Sequence, residues 1–244
     1  MRQDWHTFDD AEAVARATAE RILNSATQAI ETRGRFKLVL AGGTTPALAY
    51  RLLRTAGADW GKWFIYFGDE RGLPADHPER NSVMADENWL AHVALPVENI
   101  FPIATEEGID RAVEKYTAVV TAAQPFDLVL LGMGEDGHTA SLFPGHPLDA
   151  SAMVVAVHDA PKPPPQRVSL GLAALNAARE VLIIVTGSGK QAAVRRWQAG
   201  EDLPVAQVHG RDGADVYIDS AAVVMPLGNR MSEPVLKRPH EGHL

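Results

Sequence analysis

Short apolar segments recur along the chain, and their alternation with amphipathic segments constrains the fold more than any other feature. Each of four such segments spans four to six residues between turn-forming residues, the length of a buried strand: 36–41, 62–67, 128–131 and 181–185. Segments with helical periodicity precede, separate or follow them, at 11–30, at 47–57, at 108–123 and from 190 to about 200. Strands that alternate with helices predict an α/β protein with a mostly parallel sheet.

The full fold prediction is a three-layer, Rossmann-like architecture with helices on both faces of the sheet. Weaker patterns add helices at 81–92 and 172–178, strands at 153–157, 204–208 and 216–218, and an extended connector or short strand at 96–103. Asp9 fits the capping position of the first helix, and Thr45 fits that of the second. Because no repeat or linker divides the chain, we expect one domain over 1–228 and a loosely held tail over 229–244.

Charge and cysteine content exclude several classes of protein. The formal net charge of −8 disfavours nucleic-acid binding, which needs a basic surface, although a few positioned cations still suit a small anionic substrate. The chain contains no cysteine, which removes disulfides and thiol catalysis. The first residues lack a basic and apolar leader, and no apolar run is long enough to span a bilayer. We therefore expect a soluble cytoplasmic protein that is a monomer or a weak homo-oligomer.

Four loops follow the four apolar strands, and a parallel sheet brings such loops together at one edge. They are 42–45, 68–71, 132–141 and 186–190. Each loop carries polar side chains that could take part in binding or catalysis. In chain order they are Thr44 and Thr45 after Gly43, Asp69 and Arg71, Asp136 and His138, and Lys190. The sequence thus predicts an anion pocket beside an acid/base group.

The anion pocket is predicted from backbone as well as side chains. The sequence Gly42-Gly43-Thr44-Thr45-Pro46 leads from a strand into a helix, where free N–H groups and the helix macrodipole favour negative charge. An ordinary strand-to-helix turn with a threonine cap has the same pattern, so both interpretations stay open. Lys190 in the first turn of a helix opposes the macrodipole, which suggests a bound anion or a solvent-facing lysine.

His138 is the best candidate for acid/base chemistry. The sequence contains no Walker loop, no dinucleotide-binding glycine motif after the first apolar strand and no nucleophile elbow. No second histidine stands at metal-ligand spacing from His138, so we expect no metal. An imidazole titrates near neutral pH, and a carboxylate can orient it as a general base. The alternative is a hydrogen-bonded structural histidine.

The loop motifs resemble one family closely. Ala41–Pro46 (AGGTTP), Gly68–Arg71 (GDER), Gly132–Gly145 (GMGEDGHTASLFPG) and Gly187–Lys190 (GSGK) are similar to the 6-phosphogluconolactonases of the pentose phosphate pathway. Glucosamine-6-phosphate deaminases share the fold, but they carry a catalytic glutamate five residues after the histidine, where this chain has Phe143. The resemblance therefore favours the lactonase over the deaminase. A non-catalytic sugar-phosphate sensor on the same fold stays open as well, although such a protein would normally carry a DNA-binding helical segment, which neither the acidic charge nor the N-terminal helix offers.

The resemblance also implies roles for residues. His138 would activate water for attack on the lactone carbonyl, and either Asp136 or Asp69 would orient it or hold sugar hydroxyls. The phosphate would be held by a set of backbone, hydroxyl and cationic groups: Gly43, Thr44, Thr45, Arg71, Arg167 and Lys190. The chain has Arg80 at a position where it departs from the usual family pattern. This arginine is either a further phosphate contact or a surface residue. No cofactor is expected, because an activated ester needs only modest help from a base.

Overall fold

The computed structural model describes residues 3–223, in which ten strands form two sheets. Seven strands form a parallel sheet, and three form a small antiparallel one. In chain order the strands are β1 Gln3–Phe8, β2 Phe36–Leu40, β3 Trp63–Phe67, β4 Asp69–Arg71, β5 Ile100–Phe101, β6 Leu128–Gly132, β7 Val154–Val157, β8 Arg167–Leu170, β9 Glu180–Val185 and β10 Ala214–Asp219. The four strands predicted from apolar runs are β2, β3, β6 and β9, and all four are confirmed.

Six α-helices connect these strands within the described range. They are α1 Ala11–Arg33, α2 Thr44–Leu53, α3 Asn81–Asn88, α4 Ile109–Ala123, α5 Leu172–Asn176 and α6 Gln191–Gln198. The predicted α/β class with a mostly parallel, Rossmann-like sheet is confirmed. No helix among residues 3–223 is long and apolar enough to cross a membrane.

The order of strands in the large sheet creates a switch point between β2 and β6. The order is β1-β10-β9-β6-β2-β3-β5. From β2 the chain moves outward through β3 and β5, then returns to add β6 on the other side of β2 and continues through β9 and β10. Open α/β sheets bind ligands in the crevice beyond the carboxyl ends of strands at such a reversal. The loops that follow β2 and β6 lie there.

Two buried tyrosines fix the carboxyl ends of β2 and β3. The hydroxyl of Tyr50 donates to the carbonyl of Ala41 at 2.8 Å and accepts its N–H at 3.0 Å. Tyr116 makes the same pair of bonds with Phe67, at 2.9 and 2.8 Å. Burial raises the pKa of both phenols, so they remain neutral donors. Each tyrosine satisfies backbone groups at the point where a strand gives way to a loop of the site.

Several local predictions are corrected by the structure. The first helix is capped by Asp10, whose carboxylate accepts the N–H of Ala13 at 2.7 Å, rather than by Asp9. The segment 204–208 is not a strand, because Pro204 opens a 3₁₀ helix over Pro204–Gln207. The helix predicted over 81–92 ends at Asn88, and a separate 3₁₀ turn covers Leu90–His92. The boundary at 228 and the tail over 229–244 lie outside the described residues.

Three strands have no clear signal in the sequence. The edge strand β1 has a mixed pattern of exposure and no buried apolar run, so it shows neither alternation nor a continuous apolar stretch. The strands β4 and β8 belong to the small sheet, where Arg71 pairs with Arg167 and Asp69 with Ser169. This sheet lies beyond the end of β3 and carries three of the predicted site residues.

Candidate active site

A cavity of about 360 Å³ opens at the carboxyl edge of the sheet, and all four predicted loops contribute to it. Its wall includes six of the predicted residues: Gly43, Asp69, Arg71, His138, Arg167 and Lys190. Asp136 lies behind the wall, bonded to His138. Thr44 lines the adjoining cavity, which shares Gly43 and Arg71 with the first one. The loops predicted to converge therefore line one cavity at the switch point of the sheet.

The loop after β6 is closed by its own hydrogen bonds and presents His138 to the cavity. The N–H of Gly134 donates to the carbonyl of His138 at 2.8 Å, and the hydroxyl of Thr139 donates to the carbonyl of Gly132 at 2.8 Å. A Cβ at position 134 would stand 2.1 Å from the His138 ring and 2.7 Å from the Asp136 carboxylate. Glycine is required there because the imidazole packs directly on the backbone.

Asp136 holds the imidazole of His138 through its Nδ1 atom. The Oδ1 atom of Asp136 lies 2.5 Å from Nδ1 and accepts the backbone N–H of His138 at 3.1 Å. Because a carboxylate accepts, the neutral ring carries its proton on Nδ1, and the lone pair on Nε2 becomes the basic position. The sequence left open whether Asp136 or Asp69 orients the histidine. In the structure the imidazole donates its hydrogen bond to Asp136.

Burial and charge act in opposite directions on His138. Burial lowers the pKa of His138 below its ordinary value, whereas the charges of Asp136 and Asp69 raise it and that of Lys162 lowers it. The ring of Phe143 supplies part of this burial, with its centroid 4.7 Å from that of the imidazole. Burial opposes ionisation of Asp136 as well, yet the hydrogen bonds and charge of His138 hold the pKa of Asp136 below its ordinary value. The pair is thus poised with a neutral imidazole and an ionised carboxylate.

Asp69 belongs to a separate buried hydrogen-bond network at the wall of the same cavity. Its carboxylate accepts the hydroxyl of Ser141 at 2.6 Å and the side-chain amide of Asn81 at 3.0 Å. Ser141 in turn donates its backbone N–H to the hydroxyl of Ser169. These bonds tie β4, α3 and the glycine loop together. Asp69 therefore faces the cavity as a fixed hydrogen-bonding group that influences His138 through its charge.

The threonines after β2 have different environments. Helix α2 begins at Thr44 with Gly43 at φ 111°, so Pro46 stands in its third position rather than its first. Thr44 is exposed beside the cavities. Thr45 is buried, and its hydroxyl lies 2.7 Å from that of Thr186. The predicted threonine cap is wrong, and the hydroxyl of Thr45 instead ties the loop after β2 to the end of β9.

Four cationic side chains line the main cavity, and three of them were predicted from the sequence. Arg71 donates to the carbonyl of Glu79 at 2.6 Å, and burial lowers the pKa of Lys190. Arg167 is buried and donates to three carbonyls of the proline-rich loop. Lys162, the fourth, was missed because its loop has no regular periodicity. Only the folded path of that loop brings it to the cavity.

Arg80 is neither a surface residue nor a member of the main cavity wall. Its guanidinium is buried and donates to Glu106 at 2.6 Å and to the carbonyl of Ile103 at 2.7 Å, with Nε 3.5 Å from Glu70. Glu70 is fully buried and accepts two backbone N–H groups at the start of α3, from Asn81 and Ser82. This pair supports β4, the strand that carries Asp69 and Arg71.

The fold and the site together define a class of enzyme. A parallel α/β sheet carries a carboxylate-held histidine and several cations at its switch point, which suits an enzyme that acts on a small anionic substrate. Residues 9–217 match the family described as glucosamine-6-phosphate isomerases/6-phosphogluconolactonase. The chain belongs to this family, which confirms the resemblance drawn from its motifs.

Relatives with known names and structures agree with this assignment. The chain is 36% identical to the 6-phosphogluconolactonase of Mycobacterium tuberculosis over 93% of its own length and 100% of the relative's. It is 36% identical to the rat 6-phosphogluconolactonase over 88% of its length and 90% of the relative's. The crystal structure of 6-phosphogluconolactonase from Thermotoga maritima superposes with a TM-score of 0.82 at 27% identity, and the match covers 89% of this chain and 100% of that one.

A monomeric glucosamine-6-phosphate deaminase has the same fold. It superposes with a TM-score of 0.79 at 20% identity, over 90% of this chain and 98% of that one. The fold is therefore shared by both branches of the family, and the choice between them depends on the residues of the site.

Proposed function

We propose that the protein hydrolyses 6-phospho-D-glucono-1,5-lactone to 6-phospho-D-gluconate, with His138 as the general base. The observation that carries the proposal is the hydrogen bond between Asp136 and His138 at the wall of a cavity lined by cations. The relatives that match nearly the whole chain at 36% identity are named 6-phosphogluconolactonases. The substrate class is accordingly a sugar-phosphate lactone.

The chemistry needs a base, a later acid and stabilisation of charge. Nε2 of His138 takes a proton from water as its oxygen bonds to the C1 carbonyl carbon, which gives a tetrahedral intermediate with a negative oxygen. The carbonyl re-forms as the bond from C1 to the ring oxygen breaks, and the imidazolium gives its proton to that ring oxygen. The Asp136 carboxylate stabilises the imidazolium between the two steps. The acid product then loses a proton to solvent, and the histidine is neutral again.

The phosphate needs groups away from His138. Gly43 and Thr44 offer backbone N–H groups and a hydroxyl at the start of α2, and Arg71 and Lys190 add positive charge. Thr45 and Arg167 belong to the same predicted set, but their polar groups bond to Thr186 and to loop carbonyls. We assign phosphate contact to the first four residues and support of the pocket to the last two.

Phe143 separates this reaction from the deaminase reaction. It stands where the deaminases place a catalytic glutamate, and it is buried against His138 and Arg167. An apolar ring cannot exchange the protons that ring opening and isomerisation of an amino sugar require. The protein should release no ammonia from glucosamine 6-phosphate.

One assay tests the proposal. Glucose-6-phosphate dehydrogenase generates the lactone in situ, and the purified protein should increase its rate of hydrolysis well above the spontaneous rate. A protein that binds 6-phosphogluconate without accelerating hydrolysis would be a non-catalytic member of the fold, and the proposal would then be wrong.

A cytoplasmic location, a monomeric or weakly associating state and the lack of nucleic-acid binding belong to the same proposal. Light scattering after size-exclusion chromatography measures the oligomeric state.

A further inference from the structure

The proline-rich loop 158–166 brings to the cavity a lysine that has no part in the hydrolysis described above. Lys162 lines the same cavity as His138 and Lys190, although it is the middle residue of the sequence Pro161-Lys162-Pro163. Its side chain is 54% exposed, so its ammonium group is accessible to a ligand. Its charge acts on both neighbours, because it lowers the pKa of His138 and that of Lys190. Lys162 therefore lies at the same cavity as the base and Lys190, close enough for its charge to act on both.

Arg167 fixes the path of this loop. Its Nε donates to the carbonyl of Pro164 at 3.1 Å, and its Nη2 donates to the carbonyls of Lys162 and Pro163 at 3.1 and 3.2 Å. The guanidinium lies over the ring of Phe143, 5.8 Å from the centroid. A buried arginine that donates to three successive carbonyls holds the backbone of residue 162 in place, while the lysine side chain can still move.

The ammonium group of Lys162 has a weak partner in the carboxylate of Glu135. Its Nζ lies 3.4 Å from Oε2 of Glu135, and both side chains are more than half exposed. An exposed ion pair of this kind contributes little and exchanges easily for a better anion. Glu135 also raises the pKa of Lys190, so its carboxylate acts on both lysines.

We propose that Lys162 is a substrate-contacting residue, and that its ammonium group exchanges Glu135 for an oxyanion of the bound sugar phosphate. Arg167 is its positioning residue. The inference rests on the proposed function in taking the oxyanion to belong to the lactone or its product. The oxyanion has two sources in that molecule: the phosphate, and the C1 oxygen that becomes charged during hydrolysis and ends in the carboxylate.

Binding of the product tests the inference without turnover. Calorimetry with 6-phosphogluconate should show a dissociation constant about tenfold higher for Lys162→Gln than for wild type, the loss expected for one charge-assisted hydrogen bond. Glucitol 6-phosphate, which lacks the carboxylate, distinguishes the two sources. A loss with both ligands assigns Lys162 to the phosphate, and a loss with 6-phosphogluconate alone assigns it to C1. Unchanged binding of both ligands overturns the inference.

Lys62→Gln is the matched control. Lys62 is 49% exposed and pairs with Asp59 at 2.9 Å, but it precedes β3 and so lies at the opposite edge of the sheet. The control should bind both ligands as wild type does. An equal loss in Lys62→Gln would show that any removed lysine weakens binding, and it would also overturn the inference. If wild type fails to hydrolyse the lactone while Lys162→Gln still weakens binding, the proposed function fails and the contact stands.

The role of Arg167 has its own readout. Arg167→Gln should weaken 6-phosphogluconate binding, and adding Lys162→Gln in that background should weaken it little further, because the lysine is already misplaced. Additive losses would show that Arg167 acts independently of Lys162 and would refute the positioning role.

Discussion

Asp136 accepts two hydrogen bonds from His138, one from the ring at 2.5 Å and one from the backbone N–H at 3.1 Å. The same oxygen atom therefore fixes both the position and the tautomer of the imidazole. The arrangement needs no residue from another element, because both partners lie in one loop. The direct hydrogen bond to the ring is thus made by Asp136, whereas Asp69 acts on His138 through its charge.

Replacing Asp136 by Asn tests this relationship. The amide keeps an oxygen for the backbone N–H of His138, but it no longer stabilises the imidazolium. The kcat for lactone hydrolysis should fall by up to about 10²-fold, toward the lower end of what general acid–base catalysis contributes. The KM should change little, since Asp136 lies behind the cavity wall. Asp149→Asn is a control, because Asp149 accepts from Ser151 and from the N–H of Ala152 in an exposed turn. A rise in KM with an unchanged kcat would contradict the orienting role of Asp136.

The pH dependence of kcat/KM should report the lowered pKa of His138. A general base acts in its neutral form, and burial keeps the imidazole neutral to a pH below its ordinary pKa of about 6.5. The value of kcat/KM should therefore stay constant as the pH falls to about 6.5, and it should decline only at lower pH. Phe143→Leu should let water nearer the ring and move the inflection upward. An inflection above about 7 in wild type would contradict this account.

Gly134→Ala should abolish most activity while leaving the fold intact. A methyl group there would stand 2.1 Å from the imidazole, so the ring must leave its position beside Asp136. Lactonase assays combined with circular dichroism separate the two effects. Gly57→Ala serves as the control, because nothing lies within 4 Å of a Cβ at that exposed position. Wild-type activity in Gly134→Ala would mean that catalysis does not need the packing of His138 on the backbone.

The buried pair of Glu70 and Arg80 should matter to stability. Glu70 is fully buried and accepts from the hydroxyl of Ser82 as well as from backbone N–H groups, so Glu70→Gln leaves Arg80 without its full counter-charge. Breaking a buried ion pair of this kind costs about 3–5 kcal/mol of unfolding free energy. Urea titration measures that loss. Glu12→Gln removes an exposed pair with Arg16 at 3.8 Å and should change stability little. Equal stability of both variants would argue against a structural role for Glu70.

The large sheet was predictable because its central strands are continuous apolar runs. Strands β2, β3, β6 and β9 are buried on both faces, so each has an unambiguous signal in the sequence. The edge strand β1 faces solvent on part of its length and lacks that signal. The segment 204–208 was predicted as a strand, but Pro204 begins a 3₁₀ helix there.

Site residues on loops directly after these strands were predicted for the same reason. His138, Asp69 and Lys190 follow from the rule that parallel strands bring their carboxyl ends together. Lys162 and the burial of Arg80 could not be predicted, because each depends on a distant partner. Lys162 reaches the cavity through the hydrogen bonds of Arg167, and Arg80 is buried through Glu70 and Glu106. Neither contact produces a hydrophobic periodicity that could be recognised in the sequence.

Hydrolysis of 6-phosphogluconolactone by His138→Asn, measured above the spontaneous rate, tests the central claim most directly. Asparagine retains a polar side chain in the cavity but cannot accept and return a proton. We expect kcat to fall by about 10²–10⁴-fold, the contribution of a positioned general base, while 6-phosphogluconate still binds. A kcat within a few-fold of wild type would contradict the assignment of His138 as the base.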